Sequence, residues 1–306
     1  MKAQNKANGA PKMKHRNETV WSWLFMLPTM IFLGVTALLP LLYSVYLSFF
    51  KYKINLPNAV PIFNGLGNYI KMFTDKTLAV STGNTVLFAV ISVALELVIG
   101  IIVAMVLCSD MLWAKICTTI LLIPMIMAPV AIGTTWRMML DGTTGIINYL
   151  LSFLGIPSIN WLSNPKYAMP AVIFVNVWQL VPWVAIIGAA GLKALPADCF
   201  EAARIDGAKN SQIFAKIVLP MISPLLVIIT MLRFVDAFKV FDTVYTMTNG
   251  GPGTATEMLP NYIYKQGLKF FDAGYTAALA VMFVLIMTVV TLIFLKLRKF
   301  VEEKVA

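Results

Sequence analysis

The chain has 306 residues, 59% of them hydrophobic and only 12% charged, and a formal net charge of +10. Soluble domains carry roughly 25% charged residues, so a freely soluble globular protein is excluded. Three cysteines and the single histidine, His15, supply no zinc-ligand cluster. No phosphate-binding glycine loop of the ATPase kind occurs either, and no intramembrane catalytic constellation of His, Ser and carboxylate.

Residues 1–20 are polar and basic and are expected to form a loosely ordered tail, with Trp21 and Trp23 marking a membrane interface. Six apolar stretches follow, over about 22–50, 84–108, 116–139, 167–192, 215–240 and 273–297. Each is long enough for the ~20 residues that a membrane helix needs. The first contains Pro28 and Pro40 and is expected to tilt or kink. It exceeds the core of a cleaved signal peptide, and no small-x-small site follows it. Residues 51–83, 140–166 and 246–272 read as external segments, with a short interfacial helix over 68–73 and turn signals at Gly142, Gly145, Gly155 and Pro157. Residues 299–306 form a short tail. The fold class is all-α integral membrane, one six-span domain over 21–298.

Orientation follows from Lys and Arg in alternating loops. One side holds Lys2, Lys6, Lys12, Lys14, Arg16, Lys115, Lys193, Arg204, Lys209, Lys216, Lys296, Arg298, Lys299 and Lys304. The other holds half as many: Lys51, Lys53, Lys71, Lys76, Lys166, Lys265 and Lys269. The richer side is expected to be cytoplasmic, which places both termini there. Cys108, Cys117 and Cys199 then face a reducing compartment and are expected to stay free. The positive charge reads as orientation and affinity for anionic lipid; no basic run interleaved with aromatics points to nucleic acid.

Residues 193–216 make a polar island between the fourth and fifth spans. Pro196 stops what precedes it, Asp198 is placed to cap a new helix with Glu201 three residues on, and Asn210 to cap the re-entering run. Ala202, Ala203, Gly207 and Ala208 would let another protein approach closely. Glu201-Ala202-Ala203, then Gly207, then Ile217, Leu219 and Pro220, resembles the cytoplasmic coupling loop of membrane subunits of binding-protein-dependent ABC importers. Leu27-Pro28, Leu47-Ser48-Phe49, Gly67-Asn68-Tyr69 and Thr248-Asn249-Gly250-Gly251-Pro252 are similar to the maltose-type carbohydrate-uptake branch, in particular the half related to the larger maltose-permease subunit. The similarity covers nearly all of 20–297 but lacks that subunit's extra spans and large external insert.

The resemblance implies a type I importer permease fold in a bacterial cytoplasmic membrane. It implies a second related permease subunit, two ATPase subunits that bind ATP and Mg, and an extracytoplasmic solute-binding protein. Glu201, Ala202, Ala203, Arg204, Asp206 and Gly207 would couple the ATPases to the pore, and the chain itself would hold no cofactor. The implied cargo is a sugar, oligosaccharide or polyol.

Polar groups inside a bilayer are costly and mark a bundle interior or a pathway. Asn176, Gln179, Leu180 and Trp183 fall at i, i+3, i+4 and i+7, on one helical face, and pair amides with an indole as sugar recognition does. Trp178 and Pro182 lie beside them. Arg233, Asp236 and Lys239 follow at three-residue steps in the fifth span. In the maltose-type family these two spans supply substrate contacts. A Trp and an Asn also serve membrane helices as packing and interhelical glue, and Arg233 with Asp236 could form only an intrahelical pair. Glu96 reads as a lone carboxylate making a structural hydrogen bond or subunit contact in preference to a proton relay, Arg137 as a snorkelling cation, and Met125, Met127, Met138 and Met139 as adaptable packing. Other readings are the same machinery carrying glycerol phosphate, a phosphonate or a peptide, with Arg233 and Lys239 on the anion, or an ion-coupled secondary transporter. The latter's inverted repeats are not seen.

Overall fold

The computed structural model describes residues 15–108 and 112–305; residues 1–14 of the basic tail lie outside them. Among the described residues, five helices are long and apolar enough to cross a membrane: Trp23–Leu47, Lys76–Leu107, Pro165–Lys193, Asn210–Phe238 and Ala273–Glu303. A sixth crossing is made if Ile116–Ile126 and Pro129–Met139, bent by 95° at their junction, count as one.

Several boundaries differ from the sequence reading, each for a local reason. Helix is already present at His15, inside the expected tail. The second span starts at Lys76, eight residues before the apolar run, because Asp75 caps it through the Thr77 and Leu78 amides at 3.0 and 3.1 Å. Its hydroxyls at Ser81, Thr82 and Thr85 bond back to carbonyls four residues earlier, so a polar first stretch stays helical. The third span breaks at Met127-Ala128. Pro129 forces Ala128 into extended geometry, with φ −62° and ψ 133°, and supplies no amide to continue the helix. The expected short helix at 68–73 is present as Gly67–Thr74. The segments over 140–166 and 246–272, expected to be external, carry further helices, Ile146–Ser152 and Leu259–Tyr264.

The second and fourth spans form the centre of the fold. At their crossing a Cβ on Gly100 would lie 2.6 Å from Val184 Cγ1, so the helices approach closely only because residue 100 has no side chain. Phe88, Ile132, Val172, Val175, Phe238 and Met247 form the main buried cluster around this pair. The first span is different: none of its most apolar window is buried by the rest of the chain. A helix apolar on all sides and uncovered by its own chain needs lipid or another subunit around it.

Candidate functional site

Glu96, fully buried in the second span, is the centre of a polar cluster rather than a lone carboxylate. Its Oε2 accepts from Arg233 Nε at 2.8 Å, and its Oε1 accepts from Asn176 Nδ2 at 2.8 Å and Arg233 Nη2 at 3.5 Å. Second, fourth and fifth spans therefore meet on one carboxylate. An isolated charge here would cost several kcal/mol, and a two-pronged guanidinium with an amide is the arrangement that offsets it. The expected Arg233–Asp236 pair exists, at 3.4 Å, longer than the 2.8 Å contact of Arg233 with Glu96. Asp236 also meets Lys239 at 3.2 Å, and these two side chains are about half exposed, at 52% and 53%.

On the fourth span, Asn176 and Gln179 are buried, while Leu180 and Trp183 are partly open. The Arg233 guanidinium carbon lies 5.8 Å from the Trp183 ring centre, within cation–π range. Gln179 Nε2 donates to Met127 O at 3.4 Å, a carbonyl left without a helical partner where the third span breaks. So Asn176, Trp183, Arg233 and Asp236 converge, whereas Gln179 turns towards the bend. Trp178 points away and packs edge-on to Trp136 with ring centres 5.4 Å apart. It lines an apolar cavity of about 760 Å³ on the opposite side of the fourth span, with Leu95, Ile123, Phe174 and Val181.

The polar island forms the helix Ala197–Ile205, a separate exposed element. Its N-cap is Pro196 rather than Asp198, which lies in the first turn without a capping bond. The second helix is entered at Lys209 rather than Asn210, the Lys209 amide donating to Gln212 Oε1 at 2.8 Å. At the far end Gly207, with φ +75°, donates to Arg204 O at 3.0 Å, and Ala208 donates to Ala203 O at 3.0 Å. That pair of bonds is a Schellman ending, and the left-handed position is where glycine avoids the Cβ penalty. A Cβ at Gly207 would meet nothing within 4 Å, so the residue is required here by backbone geometry before any partner is considered. Glu201, Ala202, Arg204 and Asp206 are all exposed, and Ile205 is 86% exposed, a large apolar side chain left uncovered in a polar helix.

The loops read as external are held by side-chain hydrogen bonds, some of them buried. Asn68 Nδ2 donates to Ser48 O and Phe50 O at 2.8 and 2.9 Å, tying the end of the first span to the interfacial helix. In the Thr248–Gly253 turn, Asn249 and Gly250 take φ of 51° and 86°. Lys265 Nζ bonds Asn249 O at 2.8 Å and the buried Glu257 carboxylate at 2.5 Å. Asn84 reaches the same loop at Thr254 O, 2.9 Å. Arg137, expected to snorkel, is exposed and places Nη1 3.4 Å from Thr246 O. Asp75 receives the hydroxyls of Tyr262 and Tyr275 at 2.5 and 2.7 Å. Partial burial pushes its carboxyl upward, but those phenols and the two capping amides outweigh it and hold it below the ordinary Asp range.

A family model described as the inner membrane component of binding-protein-dependent transport systems matches residues 19–305. The chain belongs to that family. It is 33% identical over 297 residues to a trehalose/maltose transport system permease of Thermococcus litoralis, covering 96% of this chain and 98% of that one. It is also 33% identical to a sulfoquinovosyl glycerol transport system permease of Agrobacterium fabrum, covering 90% and 89%. Among solved structures, a bacterial ABC transporter for the acidic polysaccharide alginate superposes with a TM-score of 0.80 at 21% identity, covering 93% of this chain and 96% of that one. The membrane-permease fold is thus that of a type I ABC importer.

Sequence reasoning missed Ile205, Asp75 and Glu257 and left Glu96 alone. Asp75 had a readable signal, a capping residue three before Leu78; Glu257 had Asn261 one helical turn on, bonded at 2.9 Å. For Ile205 and for the Glu96–Arg233 pairing, 137 residues apart, no local signal exists.

Proposed function

We propose that this permease forms half of the translocation pore of an ATP-driven importer for a sugar, oligosaccharide or polyol. A solute-binding protein would deliver the cargo outside, and a second related permease would complete the pore. Two ATPase subunits would bind ATP and Mg and press on the Ala197–Ile205 helix. The observation that carries the coupling role is that helix itself: capped at its end by a left-handed Gly207, standing clear of the bundle, and presenting Glu201, Ala202, Arg204, Ile205 and Asp206 outward. With it inside the cell, both termini are cytoplasmic in a bacterial membrane.

The carbohydrate assignment is supported by relatives named for trehalose/maltose and for starch degradation products. The site chemistry agrees: a partly open indole at Trp183 offers a stacking face, and half-exposed Asp236 and Lys239, linked to it through Arg233, offer hydrogen-bonding groups. An anionic cargo such as glycerol phosphate would need a free Arg233, and its Nε and Nη2 are committed to Glu96. The test is stimulation of ATP hydrolysis in the assembled complex by the sugar-loaded binding protein. Glu201→Lys should remove that stimulation while leaving the permease in the membrane, and full stimulation in the variant would reject the coupling role.

A further inference from the structure

We infer that Glu96 is a specificity-determining residue: as the buried counter-charge of Arg233, it keeps the pathway selective for uncharged solutes. This rests on the carbohydrate-permease reading and goes beyond it, because it concerns which sugars are refused. The polar cluster holds two cations, Arg233 and Lys239, and two carboxylates, Glu96 and Asp236, linked in a chain of contacts at 2.8, 3.4 and 3.2 Å. The charges balance. Of the four, Asp236 and Lys239 are about half exposed while Glu96 and Arg233 are buried, so Glu96 touches the balance without offering itself to a solute.

The guanidinium lies just under the open surface. Its third edge, Nη1, reaches half-exposed Asp236, and its carbon sits 5.8 Å from the partly open Trp183 ring. A sugar ring stacked on Trp183 would therefore lie within a few ångströms of Arg233, close enough to sense whether that charge is neutralised. With Glu96 in place an incoming carboxylate finds a cation already paired and a neighbouring Asp236 that repels it. Without Glu96 the same site has one uncompensated positive charge and would welcome an anion. Asn176 donates to Glu96 Oε1 at 2.8 Å, the oxygen that Arg233 Nη2 also reaches, and helps fix the carboxylate's orientation.

The experiment uses the detergent-purified four-subunit complex without nucleotide, titrated with glucose and, separately, with glucuronate, its C6 acid. Thermal stabilisation is followed against ligand concentration. In the wild type the glucuronate midpoint should be no lower than the glucose midpoint. In Glu96→Gln the glucuronate midpoint should fall at least tenfold, and in Glu96→Gln/Arg233→Gln it should return to the wild-type value. An unchanged glucuronate midpoint in Glu96→Gln, or a fall that persists in the double variant, would overturn the proposal. A merely structural Glu96 would lower stability in the single variant without reordering the two ligands. If the Glu96→Gln complex does not survive purification, neutral-sugar uptake in membrane vesicles replaces it. There Arg233→Gln should lose at least tenfold and the double variant should recover to within threefold; a double variant no better than the single one would overturn the assignment. Sugar uptake by the wild-type complex separately tests the carbohydrate reading, so the two can fail independently.

Discussion

Arg233 in the fifth span places its Nε 2.8 Å from Glu96 Oε2 in the second, with both side chains closed off from solvent. The fifth span continues directly from the Ala197–Ile205 helix and its turn, so a push on that helix reaches the polar cluster through one covalently continuous element. Under the proposed pathway a cargo would meet Trp183, Asp236 and Lys239, while Glu96 and Arg233 stay buried.

Trp183→Ala and Asn176→Ala should separate recognition from architecture. Loss of the Trp183 stacking face should lower uptake of the native sugar about tenfold, equivalent to 1–2 kcal/mol, with little change in thermal stability because the ring is partly open. Asn176→Ala removes a buried donor from Glu96 and should cost about 1–3 kcal/mol of stability, read as a fall in the melting temperature of the complex. Equal melting temperatures for wild type and Asn176→Ala would show that the Glu96 bond contributes nothing.

At Gly207 the φ of +75° predicts a graded series. Gly207→Asn should retain most transport, because Asn tolerates the left-handed region; Gly207→Leu should cost about 1–2 kcal/mol locally and uncouple ATP hydrolysis from uptake. If Leu were tolerated as well as Asn, backbone geometry would not be what residue 207 supplies.

Ile205→Lys should abolish binding-protein-stimulated ATP hydrolysis without reducing the amount of permease in the membrane. Its side chain is 86% exposed, so little burial is lost with it. Full stimulation in the variant would mean that the docking surface excludes Ile205.

Asp75→Ala should lower the thermal stability of the complex by several degrees, since it removes the cap of the second span, worth about 1 kcal/mol, and a bond to each of two phenols. The native carboxyl titrates below its ordinary value, so its contribution is fully present above about pH 4 and is lost as pH falls through the native value. The penalty of Asp75→Ala, measured by melting at pH 7 and again in acid, should therefore shrink only at the acid end. A penalty that shrank between pH 8 and 6 would place the stabilising charge elsewhere.

Cys199 is exposed at the start of the polar helix, which makes orientation directly measurable. Membrane-impermeant thiol reagent applied to intact cells should leave it unlabelled, and permeabilisation should expose it. Labelling from outside would invert the topology.

The apolar runs made the membrane class and five of the crossings legible, with the sixth resting on the bent pair, because hydrocarbon thickness imposes a length that composition alone satisfies. The ends of the runs were less legible. Lys76 to Gly83 looked polar, yet Asp75 caps that stretch and its hydroxyls bond inward, and no hydropathy window registers either effect. The spacing of Asn176, Gln179 and Trp183 correctly put them on one face, but which way each points depends on neighbours. Gln179 is drawn to a carbonyl freed by Pro129, and Asn176 to a carboxylate 80 residues earlier in the chain. Local periodicity holds no record of such pairings. The polar island was readable as a helix, while its cap fell two residues before Asp198, where Pro196 already held the required extended backbone.

Reconstitution of the permease with its partner subunit, the two ATPase subunits and the solute-binding protein in liposomes tests the central claim most directly. Labelled sugar should accumulate against its gradient only when ATP is on the side of the Ala197–Ile205 helix and the loaded binding protein is on the other. Accumulation without ATP or without the binding protein, or the absence of any sugar uptake while ATP hydrolysis is stimulated by a binding protein loaded with a non-sugar solute, would contradict it.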